Sequence, residues 1–62
     1  MKTWKNAKVG DKAWVTFFDR YYHADAQHLV TITVVGDKGI ACTDGDNTYY
    51  LLDKDIKSYT NA

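Results

Sequence analysis

The sequence predicts a small all-β domain of five strands, and three observations carry that prediction. Residues 30–35 read Val-Thr-Ile-Thr-Val-Val, β-branched without a break, which strands favour and helices penalise. Two short polar runs, Gly36-Asp37-Lys38-Gly39 and Asp44-Gly45-Asp46-Asn47, punctuate the chain at hairpin spacing. All eight acidic residues are Asp, with no Glu and no Pro. Asp favours turns and caps, whereas Glu favours helices.

The elements follow in order. Residues 1–8 are polar and lysine-rich apart from Trp4 and are expected to form a flexible arm ahead of a domain at 9–60. Val9-Gly10-Asp11 reads as a turn into a strand over 12–18. Alternation there sets Ala13, Val15 and Phe17 against Trp14, Thr16 and Phe18, and aromatics on both faces predict a strand covered on both sides. Residues 19–27 break the alternation and hold the only arginine, Arg20, with Tyr21, Tyr22 and His23, which predicts a long first loop. Residues 28–35 form the clearest strand, with Val30, Ile32 and Val34 as one apolar row. Gly36 and Gly39 are expected to supply the positive φ of a tight turn. A strand at 40–43 returns with Ile40 and Cys42 inward, and a second turn leads to a strand at 48–52. Asp53-Lys54-Asp55 reads as a single helical turn before a last short strand at 56–60. Phe17, Tyr50 and Tyr59 are assigned to the core.

The opening Val9-Gly10-Asp11-Lys12-Ala13-Trp14-Val15 and the close Tyr50-Leu51-Leu52-Asp53-Lys54-Asp55-Ile56-Lys57-Ser58-Tyr59 resemble the SH3-like small β-barrels, KOW and Tudor-type modules included. The resemblance spans about residues 9–59. It implies a five-stranded barrel with a long first loop, a 3₁₀ turn before the last strand, and a ligand surface on that loop and the adjacent strand faces. The Ala-Leu-Tyr-Asp-Tyr segment and the proline of peptide-binding SH3 domains are missing, which sets proline-rich ligands aside.

Composition narrows the function classes. A chain of 62 residues makes one domain with a thin core. The lone Cys42 permits no internal disulfide, and no run of apolar residues reads as an export signal or membrane span, so a cytoplasmic location is expected. Eight acidic and eight basic residues cancel, which disfavours a dedicated nucleic-acid binder. His23, Asp25 and His28 lack a third strong ligand at metal spacing. From Asp44 onward a calcium loop would need Gly where Tyr49 stands and Glu where Asp55 stands. Cys42, inward between Ala41 and Thr43, reads as a small core residue and not as a nucleophile. No cofactor, no metal and no enzymatic activity are therefore expected.

The surplus aromatics point to binding. Trp14, Phe18, Tyr21, Tyr22 and Tyr49 exceed what one face of a tiny barrel can hide, and Tyr and Trp dominate binding hot spots. Tyr21 and Tyr22 either cap the open barrel end or contact a ligand. The expected partner-binding residues are Trp14, Arg20, Tyr21, Tyr22 and Tyr49. The expected partner is a larger protein on which the chain acts as accessory factor or inhibitor, a type frequent among bacteriophage products. Nucleic acid, reached through Lys2, Lys5, Lys8 and Lys12, is the alternative, and a homodimer is a third arrangement.

Overall fold

The computed structural model describes residues 3–62. A first 3₁₀ turn, Trp4–Asn6, precedes β1, Lys12–Asp19, and β2, Ala24–Val35. Then come β3, Gly39–Thr43, β4, Thr48–Leu52, a second 3₁₀ turn, Asp53–Asp55, and β5, Ser58–Asn61. All pairings are antiparallel in one sheet ordered β4-β3-β2-β1-β5. The all-β class is as the sequence predicts. The sheet is open and not a closed barrel: among the described residues β4 and β5 stand at its two edges and do not pair with each other.

One face of the sheet is dry. Ala13, Val15 and Phe17 of β1 meet Val30 and Ile32 of β2, Ile40 and Cys42 of β3, Leu51 of β4 and Tyr59 of β5, with Ile56 closing the end. Burying this set supplies the stabilisation that a disulfide provides in other small folds. The outer face is not covered, contrary to the expectation from β1: Trp14, Phe18 and Leu29 are exposed there.

Four further readings are corrected. Trp4 is 1% exposed, and Ala7 is buried beside it, so residues 3–8 fold onto the core and are not a separate arm. Their polar surroundings in sequence conceal one large apolar anchor. Met1 and Lys2 lie outside the described residues. The long first loop shrinks to the turn at 20–23, because β1 and β2 stay paired through Phe17–Ala26, Phe18–Asp25 and Asp19–Ala24.

Next, β2 slips register against β3 between Ile32 and Val34. The bulge at Thr33 turns Val34 outward to 55% exposure and brings Val35 onto the core in its place. Finally, Tyr49 and Tyr50 exchange the sides expected of them. Ile40 faces Leu51 and Cys42 faces Tyr49, so Tyr49 points inward and Tyr50 stands 80% exposed.

The glycines divide by cause. Gly10 and Gly45 carry positive φ, as the Val9-Gly10-Asp11 and Asp44–Asn47 turns require. Gly36 and Gly39 do not. At Gly39 the need is space, since a Cβ there would lie 2.0 Å from the Leu51 carbonyl oxygen.

Candidate functional site

The opening left by the unclosed sheet is a groove of about 670 Å³, within the usual size of ligand sites, about 300–1,000 Å³. One wall is the end of β1 with the turn beyond it, from Phe17 to Tyr21. The other is β4 from Thr48 through Leu51, with Asn47 before it and Asp55 after it. His28 of β2 lies between the walls.

The turn is built by Asp19. Its Oδ1 accepts the backbone N–H of Tyr21 at 2.8 Å and of Tyr22 at 3.2 Å, the local bonding that makes Asp a turn former. His23 completes the reversal in the left-handed region, φ 54°. The other carboxylate oxygen of Asp19 accepts from His28 at 2.9 Å; a carboxylate only accepts, so Nε2 carries that proton. This hydrogen bond, helped by the two turn amides, holds the Asp19 carboxyl below the usual carboxylate range.

Stacking then fixes the groove floor. The His28 imidazole lies on the Phe17 ring at 4.0 Å and 14°, and Tyr49 tilts against both, at 4.9 Å from Phe17 and 5.8 Å from His28. The Tyr49 hydroxyl donates to Asp44 Oδ2 at 2.9 Å. Asp44 in turn accepts the N–H groups of Asp46 and Asn47, and these bonds lower its pKa. Burial first, and then the Asp44 carboxylate, raise the Tyr49 pKa. A neutral, immobilised phenol ring is the result.

Of the five expected binding residues, the groove collects Arg20, Tyr21 and Tyr49. Tyr22 sits at the turn, edge-on to Tyr21 at 5.0 Å, and does not line the groove. Trp14 is on the outer face opposite Leu29, away from the other four. Tyr21 and Tyr22 are 86% and 71% exposed, so they do not cap the open end. Sequence reading missed His28, Phe17 and Asp19 as a unit. The signal was the inward parity of His28 on a strand whose other inward positions are apolar.

The remaining candidates separate. His23 is at the turn, Asp25 pairs with outward Phe18, and His28 faces inward. Among the described residues no group of three His, Cys, Asp or Glu could hold a metal ion. Burial pushes the Cys42 thiol up to about 11, which leaves it a poor nucleophile. Among the described residues no helix is long and apolar enough to cross a membrane. Comparison with protein-family models, with characterised proteins and with solved structures returns no match.

Proposed function

We propose that the chain is a non-catalytic binding module whose ligand surface is this groove, and that the ligand is a segment of a larger protein. The carrying observation is the Tyr49 ring, held by Asp44 at its hydroxyl and by Phe17 and His28 at its ring. An aromatic already fixed in place loses little entropy when a ligand lands on it, which is how rigid anchors gain affinity. Exposed Tyr21 and Arg20 on the facing wall are of the residue types that dominate binding energy.

The acid–base pair in the groove supports binding over chemistry. His28 gives Nε2–H to Asp19, while Nδ1 is enclosed with no hydrogen-bond partner among the described residues. With one nitrogen engaged and the other walled in, the imidazole has no nitrogen to present to a substrate. Two carboxylates, Asp19 and Asp55, against the single cation Arg20 disfavour a polyanion in the groove.

The test is a selection of displayed random peptides on the purified protein, followed by amide chemical-shift mapping of the winners. Shifts gathered on residues 17–21 and 47–51, and weakened by Tyr21→Ala, support the reading. Shifts produced instead by single-stranded oligonucleotides, mapping to Lys5, Lys8 and Lys12 and fading with salt, would replace it with the nucleic-acid alternative.

A further inference from the structure

The bonding parity of β4 decides which of its backbone groups are spent. Asp53 N–H donates to the Lys38 carbonyl, and Asp44 N–H donates to the Asn47 carbonyl. Carried along the β3–β4 register, the same alternation pairs Ile40 with Leu51 and Cys42 with Tyr49 through their main chains. The main-chain groups of Thr48, Tyr50 and Leu52 therefore point away from β3. Leu52 N–H is taken by Asp55 Oδ2 at 3.0 Å. Thr48 and Tyr50 are left with their N–H groups turned from β3 toward the opening.

Beyond that cap, the edge carries no guard in its own residues. Natural sheets protect an edge with charge, Pro or a bulge, yet β4 reads Thr-Tyr-Tyr-Leu-Leu. Thr48 through Leu51 of this strand form one wall of the groove. The geometry points to a ligand that enters as an added strand on β4, an extended polypeptide whose backbone bonds Thr48 and Tyr50. This rests on the groove being the ligand surface and specifies how it is used. Pairing on an edge draws its affinity from main-chain bonds and its selectivity from alternate side chains. Inward residues of such a strand meet Tyr49, and a basic residue among them suits Asp19 and Asp55. The Arg20–Tyr21 wall opposite favours a single strand over the folded sheet of a second copy.

The experiment uses a peptide selected on the intact protein. Hydrogen exchange by NMR is expected to show the Thr48 and Tyr50 amides slowing on binding, with Tyr49 and Leu51 unchanged because they are already paired. N-methylation of alternate peptide amides is expected to weaken binding about tenfold, while methylation of the amides between them is tolerated. A peptide that shifts the groove but leaves Thr48 and Tyr50 exchanging as before overturns strand addition and leaves the groove reading standing. A peptide whose binding ignores Tyr21→Ala and maps elsewhere overturns both. Slowing of the same two amides with protein concentration alone, without peptide, assigns the edge to a second copy and overturns the peptide ligand.

Discussion

The indole N–H of Trp4 donates to Asp53 Oδ1 at 2.7 Å, tying the first 3₁₀ turn to the second across 49 positions of sequence. Trp4 is at the same time among the most deeply buried side chains of the molecule. The residues before β1 therefore help hold the far end of the chain against the sheet.

Trp4→Ala is expected to cost about 3–5 kcal/mol, much of the about 5–15 kcal/mol that native domains possess. Trp4→Phe keeps most of the apolar volume and loses the hydrogen bond, so its cost is smaller, about 1–3 kcal/mol. Urea unfolding followed by tyrosine and tryptophan fluorescence measures both. An unaffected Trp4→Ala midpoint would return residues 3–8 to the status of an arm.

The bulge at Thr33 is tested by two β2 residues that simple alternation treats alike. Ile32→Ala should cost about 2–5 kcal/mol, because Ile32 is 1% exposed. Val34→Ala should stay within about 0.5 kcal/mol, as for other surface positions. Equal losses in parallel urea titrations would mean that β2 runs without the slip.

Gly39 and Gly36 form a second contrast. A methyl at Gly39 meets the Leu51 carbonyl oxygen at 2.0 Å, whereas at Gly36 it meets the Gly39 oxygen at an ordinary 3.4 Å. Gly39→Ala should destabilise by about 1–3 kcal/mol or more as β3 and β4 move apart. Gly36→Ala should be mild. Thermal melts of the two variants give the order directly.

Asp44 predicts an acid limb. Its carboxyl is held below the usual range by the amides of Asn47 and Asp46 and by the Tyr49 hydroxyl. A depressed folded-state pKa adds stability above the unfolded value of about 3.9, and that stability drains away as pH falls through the folded value. Asp44→Asn should thus be less stable than the parent at neutral pH, and the gap should narrow as pH falls below the unfolded value of about 3.9. Denaturant midpoints at several pH values read this out. A constant gap would show that the charge is not what the turn uses.

Much of the architecture was legible in the residues. The β-branched run at 30–35, the two polar turns and the single helical turn at Asp53–Asp55 all lie where the residues put them. What escaped were relationships that depend on partners distant in sequence. The Thr33 bulge changes which side of β2 is inward, yet Val30 to Val35 are all β-branched, so local pattern offers no clue to the slip. Tyr49 and Tyr50 are identical in type, and only the pairing with Cys42 and Ala41 sorts them. Trp4 sits in a polar segment and finds its core contacts from outside the sheet.

The candidate site was legible by type but not by place. Tyr21 and Tyr49 stand out as surplus aromatics and Arg20 as the lone arginine, and the groove does gather them. Trp14 shares their chemistry and none of their location, because β1 points it to the opposite face. The stack of Phe17 on His28 could not be read locally, since it arises where β1 and β2 continue past the point at which alternation fades.

The Asp55 carboxylate on Leu52 N–H limits how much of the β4 edge stays open. By taking the last outward donor of β4, it shortens the template open to a like strand to the stretch around Thr48 and Tyr50. Stacked fibrils grow from segments of about six or seven residues that bond along their whole length. With that cap in place, the open part of the β4 margin is shorter than such a segment.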